Sequence, residues 1–99
     1  MFKAMVLLTR SEGLARDEFG RWWLEEHRPL VRQLPGLRRY VVNLVESGPE
    51  DGVDGFAELW FDSQEAFEAA YATDAGKAVV ADSMAHAGSR VRYVVAEHE

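Results

Sequence analysis

No cysteine occurs in this chain, which excludes disulfides, thiolate metal ligands and a cysteine nucleophile and leaves the redox compartment open. Positive charge is scarce as well: 11 lysine and arginine residues stand against 17 acidic ones, for a net charge of −6. That balance argues against nucleic acid or an anionic membrane as partner, since both draw on clustered positive charge. Long apolar runs are missing. The stretch from Ala4 to Leu8 is too short for a signal-peptide core with its cleavage site and far too short to span a bilayer, so a soluble cytoplasmic protein is expected. There is no phosphate-binding glycine loop, no visible Ser-His-Asp constellation and no metal-ligand spacing. His86 and His98 stand without partners, so neither metal nor cofactor is expected.

What is present is an ordinary globular balance, 47% apolar and 28% charged, in 99 residues. Such a chain makes one domain, residues 1–99, burying roughly two-thirds of its unfolded surface. Residues 2–8 are apolar at every position but Lys3, which predicts a strand covered on both faces. Residues 11–16 lead into a helix from about Arg16, weakly started because Ala15 stands where a capping side chain belongs. Residues 37–46 alternate as a second strand, with apolar side chains on both faces. The turn cluster 47–52 then leads by a hairpin to a third strand, residues 55–61, with Phe56, Glu58 and Trp60 on one face. Asp62 with Glu65 reads as a capping box opening a helix with Phe67, Ala70 and Tyr71 inward. A further helix, residues 75–87, has Ala78, Val79 and Ala85 as its apolar face and Gly88 as its stop, and residues 90–96 close the chain as a strand. The order βαββαβ is the ferredoxin-like split βαβ of the α+β class, an antiparallel four-stranded sheet with helices on one face. Its second face needs another cover, which predicts a homodimer packed sheet to sheet.

Apolar residues recur at 19, 22, 23, 30, 31 and 34, and His27 falls on the same helical stripe, four residues after Trp23 and four before Val31. The imidazole is therefore aimed at the core. Pro29 is expected to end or kink the helix just past His27, and Pro35-Gly36 to launch the next strand. An imidazole titrates near ~6.5 and so can exchange protons at neutral pH. Burial favours its neutral form and a helix carboxyl end the cation. The plainer alternative is a core histidine bonded to a carbonyl that Pro29 frees. Tyr40 starts the strand beyond and can present its hydroxyl to a bound oxygen, or it is a rim aromatic. Glu58, between Phe56 and Trp60, is either paired with Arg38, Arg90 or Arg92, or has a raised pKa. Trp22, Trp23, Trp60 and Tyr71 wall a flat pocket or are simply core. Arg28, Arg32, Arg38 and Arg39 form one positive cluster, from which Arg38 is a candidate to hold a substrate carboxylate.

The segments His27-Arg28-Pro29-Leu30-Val31, Leu34-Pro35-Gly36-Leu37-Arg38-Arg39-Tyr40 and 54–63 together resemble the EthD family of the dimeric α/β barrel superfamily, over almost the whole chain. The resemblance implies pairing as a dimeric α/β barrel. It extends to the methylmuconolactone methylisomerases, and from them implies a catalytic histidine at His27 and a tyrosine at Tyr40. Those enzymes also carry a cysteine where this chain has Leu59, and a loop histidine that is missing here. What remains is a histidine and tyrosine pair without a nucleophile. The functional expectation is a small cofactor-independent isomerase, cyclase or lyase acting on a lactone, quinone or phenol. Its catalytic residues would be His27 and Tyr40, with Trp23, Glu58, Trp60 and Arg38 binding substrate between sheet and first helix, in open space beside the imidazole. The rivals are a cofactor-free monooxygenase and a non-catalytic small-molecule-binding dimer.

Overall fold

The first strand, β1 (Phe2–Arg10), is central, as its apolar character on both faces requires. The computed structural model describes all 99 residues and sets β1 between β3 (Gly55–Phe61) and β4 (Ala87–Val95). Beyond β3 lies β2 (Arg39–Leu44), giving the order β2-β3-β1-β4 with every neighbouring pair antiparallel. The fold is the α+β, ferredoxin-like arrangement that the element order implies. Helices α1 (Arg16–Arg21), α2 (Arg28–Val31), α3 (Gln64–Ala72) and α4 (Asp74–His86) pack on one face.

Strand alternation divides the sheet. Ala4, Val6 and Leu8 stand beside Leu59, Ala57 and Gly55 on the helix side, where Phe19, Trp22, Trp23, Phe67 and Val79 complete the core. Lys3, Met5 and Leu7 stand beside Trp60, Glu58 and Phe56 on the opposite, outer face. No helix is long and apolar enough to cross a membrane.

Pro29 does not end the first helix. Between α1 and α2 the segment Trp22–His27 is a π-helix, and His27 and Arg28 both keep right-handed helical backbone angles. The wider turn explains this: the Arg28 amide donates to the Trp23 carbonyl five residues back, so the proline ring is spared the clash it would meet in a regular α-helix. In this frame the Leu24 carbonyl would take its proton from residue 29, which has none. The Arg28 Nε donates to it instead, at 3.2 Å. The freed carbonyl is thus satisfied by an arginine and not by His27.

Other boundaries shift for local reasons. Ser63, not Asp62, caps α3, its hydroxyl accepting from the Ala66 amide at 3.1 Å, because Asp62 is held by Arg38. The inward residues of α4 are Gly76, Val79 and Ser83, whereas Ala78 and Ala85 are exposed. The chain passes from α4 straight into β4 at Ala87, so Gly88 lies in the strand and is not a helix stop. At Gly55 only a hydrogen fits: a Cβ there would lie 2.6 Å from Trp23 Cζ3 and 2.9 Å from the Asn43 carbonyl oxygen. That close approach seats the Trp23 ring on β3.

Candidate functional site

His27 is turned inward, with a relative exposure of 4%. Its Nδ1 lies 2.8 Å from Asp82 Oδ2, and the same oxygen accepts the Trp22 indole N–H at 3.1 Å. On the other side of the carboxylate, His86 Nδ1 sits 3.2 Å from Oδ1 and 2.9 Å from the Asp82 carbonyl oxygen. The Trp22 ring packs between the two imidazoles, 4.8 Å from His27 and 5.0 Å from His86 between centroids. An ionised carboxylate only accepts, so Nδ1 of neutral His27 carries the proton and Nε2 keeps its lone pair. Nε2 faces the Ser83 hydroxyl across 3.3 Å, a long and weak bond in which the hydroxyl donates.

Burial lowers the His27 pKa below its usual value, against the upward pull of Asp82, and the nearby Arg90 and His86 add to the lowering. The imidazole is therefore a neutral base at pH 7. Because the helix continues past it, the carboxyl-end effect that would have favoured the cation does not apply.

Nε2 opens on an enclosed space between the sheet, the π-helical segment and α4, lined among others by Trp23, Tyr40, Leu59, Tyr71, Ser83 and Arg90. Its volume is about 10 Å³, room for about one water. The open space expected beside the imidazole is thus absent: Ser83 stands against Nε2, Trp22 and Trp23 pack on the ring, and the remaining walls leave no further room. Among the lining residues, only Tyr40, Tyr71 and Arg90 are half-buried and the rest are buried. Those three form the side toward solvent. The Tyr40 oxygen accepts the Trp23 indole N–H at 3.0 Å, which leaves its own proton to donate. Burial pushes the Tyr40 pKa up to about 12, so the hydroxyl is neutral.

Of the residues expected at the site, His27, Tyr40 and Trp23 come together, while Glu58, Trp60 and Arg38 do not. Glu58 and Trp60 occupy the outer face, since strand alternation sends Ala57 and Leu59 toward the helices. Glu58 pairs with Lys3 at 2.9 Å and takes a 3.0 Å bond from Asn43, and both hold its pKa down. None of the three arginines considered for it is its partner. Trp60 lies between two cations, with Lys3 Nζ and the Arg39 guanidinium each 4.6 Å from a ring centroid. Arg38 is exposed and forks onto Asp62 at 3.0 and 2.7 Å.

The residues the sequence did not reveal are Asp82, Ser83 and Arg90 in this role. A roomier concavity of about 710 Å³ between α1 and the β2–β3 loop contains neither His27 nor Tyr40. Its buried acid, Asp54, is already engaged by the Arg10 amide at 2.9 Å. No group of three or more His, Cys, Asp or Glu side chains is arranged to hold a metal ion.

Residues 11–89 match the model of the EthD domain family. The 4-carboxymethyl-4-methylbutenolide mutase of Pseudomonas reinekei is 28% identical over 87 residues, covering 79% of this chain and 80% of that protein. Among solved structures, an ethyl tert-butyl ether D (EthD) family protein of Bacillus halodurans superposes with a TM-score of 0.84 at 28% identity, over 99% of this chain and 100% of its own. A dimeric ferredoxin-like protein of Thermobifida fusca, at 16% identity and a TM-score of 0.78, covers 97% of this chain and 90% of its own; that likeness concerns the fold alone.

Proposed function

The chain belongs to the EthD domain family, and from that premise we propose that it is a small cofactor-independent enzyme that moves a proton on a lactone or phenol, with His27 as general acid and base. Nε2 takes a proton from a carbon or hydroxyl of the substrate and returns it elsewhere. Asp82 holds the Nδ1–H, fixes the tautomer and stabilises the imidazolium as it forms. Tyr40 donates its free proton to the oxygen on which negative charge collects. A substrate reaches Nε2 by displacing the Ser83 hydroxyl and opening the half-buried side formed by Tyr40, Tyr71 and Arg90.

The observation that carries this reading is a buried neutral imidazole, anchored at Nδ1 by a carboxylate, whose second nitrogen shares an enclosed space with a tyrosine hydroxyl and an arginine. A buried histidine kept only for packing has no need of all three. The 28% identity to a butenolide mutase supports lactones as the first substrates to try.

The deciding experiment follows butenolides and phenols by NMR with purified protein, alongside an oxygen electrode. Isomerisation without oxygen uptake, lost in His27→Gln while the melting temperature stays within a few degrees, is expected. Oxygen uptake would move the assignment to a cofactor-free monooxygenase, and full activity in His27→Gln would remove the histidine. The sealed ring, with a partner on each nitrogen, favours one second reading: a non-catalytic binding protein in which His27 is structural. Ligand binding without turnover would select it.

The outer face supports a homodimer as part of the proposal. It presents Met5, Leu7, Val41 and Phe56 half-buried, with Val91 43% and Tyr93 53% exposed. A sheet face with this much apolar surface is stabilised by a second copy.

A further inference from the structure

Arg90 has no part in the proton transfer, yet it is the one permanently charged side chain lining the His27 cavity. Its Nε is buried with no hydrogen-bond partner, and none of the ion pairs in the chain involves it. Seventeen acidic residues are available in the sequence, and none has been placed beside it. The titratable groups around it are instead Tyr71, Arg92 and His27. Arg92, two residues along the same strand face, lies over the Phe67 and Tyr71 rings at 5.0 and 5.3 Å and supplies a second positive charge. A guanidinium half removed from water with another cation near it and no anion is costly, and proteins ordinarily pair such a group. Here its neighbour is the neutral Tyr71 hydroxyl, which carries no balancing charge, and the unpartnered Nε belongs to a side chain that lines the cavity.

We propose that Arg90 binds a carboxylate of the substrate, so that the natural ligand is a carboxylic acid whose reacting ring lies against His27. The inference rests on the lactone or phenol chemistry proposed above and narrows its substrate class. A planar carboxylate matches the two-pronged donor face of a guanidinium. Arg92 lies over the Phe67 and Tyr71 rings and does not line the cavity, so Arg90 alone meets the ligand there and balances one negative charge, where a phosphate dianion would remain half compensated. Arg90 stands on the solvent side of the cavity, so the carboxylate end of the ligand enters last and the ring lies deepest, toward Nε2. Neutralising Arg90 has a chemical consequence for the base. Its charge is one of the causes that lower the His27 pKa, so a bound carboxylate makes the imidazole a stronger base when the substrate is in place.

The test compares acids with their own methyl esters. 4-Carboxymethyl-4-methylbutenolide and a panel of small aryl and butenolide acids, each beside its ester, are titrated into wild type, Arg90→Gln and Arg90→Lys by calorimetry, with circular dichroism confirming that the variants fold. Wild type is expected to bind the best acid at least about tenfold tighter than its ester, and Arg90→Gln to bring the two within about twofold, with Arg90→Lys between them. The His27 pKa, read by NMR, rises on adding the acid and not on adding the ester. The proposal is overturned if no acid outbinds its ester, if Arg90→Gln keeps the preference, or if inorganic phosphate displaces the acid at equal concentration. Turnover of the same acids and esters is read separately, by NMR. An acid preference without isomerisation therefore removes the chemistry assigned to His27 and keeps Arg90, and isomerisation of acid and ester alike does the reverse.

Discussion

Asp82 gathers three ring N–H groups, those of Trp22 and His27 on its carboxylate and that of His86 on its backbone carbonyl, and sets the state of the catalytic candidate. Its replacement by Asn is expected to let the His27 ring change tautomer and to lower the turnover rate by about two orders of magnitude or more, with the substrate affinity little changed. Ser83→Ala should free Nε2 and leave activity equal or raised; its loss would give the serine a chemical role that the long 3.3 Å contact does not suggest. The lowered His27 pKa also fixes a direction for stability. Below about pH 6.5 the unfolded chain binds a proton that the buried ring refuses, so stability falls with acidification by up to about 1.4 kcal/mol per pH unit. Urea melts at neutral and mildly acidic pH should show that fall reduced in His27→Gln. The inward aim of His27 was legible from its spacing to Trp23 and Val31. Its partners were not, because Asp82 and Ser83 lie more than fifty positions away on a helix whose inward stripe, Gly76, Val79 and Ser83, is too small and polar to announce itself. Glu58 and Trp60 could have been excluded: Ala57, Leu59 and Phe61 form the fully apolar face, and that face must take the helices.

The π-helical segment is what carries Trp22, Trp23 and His27 to the sheet without a break at Pro29. Its weak point is the Leu24 carbonyl, served by the Arg28 side chain. Arg28→Ala should cost about 1 kcal/mol of stability, and less when Pro29→Ala restores an amide hydrogen at position 29. A double-mutant cycle by chemical denaturation reads this coupling directly. Equal costs in both backgrounds would mean that the guanidinium does not serve the carbonyl. Gly55→Ala tests the other support of the site. The added methyl group meets the Trp23 ring and should cost about 1–3 kcal/mol by overpacking. It should also shift the Tyr40 hydroxyl that Trp23 holds, which activity measurements at saturating substrate would detect. The proline signalled a disturbance of the helix at the right place. Its kind was not readable, since a π-turn absorbs the residue where the usual outcome is a break.

At the scale of the molecule the sheet has two faces, one carrying the candidate site under the helices and the other the surface proposed to pair with a second copy. Tyr93→Asp on that face should convert a dimer to a monomer in light scattering, and a wild-type monomer at micromolar concentration would refute the assembly. The βαββαβ order was legible because strand alternation and helical stripes are distinct along the chain. The closure of the cavity was not, since it depends on how Tyr40, Tyr71 and Ser83 meet across three elements. Everything functional here depends on a neutral His27 whose Nε2 becomes reachable by a guest. Nitrogen-detected NMR of the imidazole, taken at neutral pH with and without a butenolide acid, addresses that claim most directly. An Nδ1–H tautomer is expected, with an unprotonated Nε2 whose resonance moves on adding the ligand. A protonated Nε2 in the free protein, or a resonance that stays in place while the ligand binds, would contradict it.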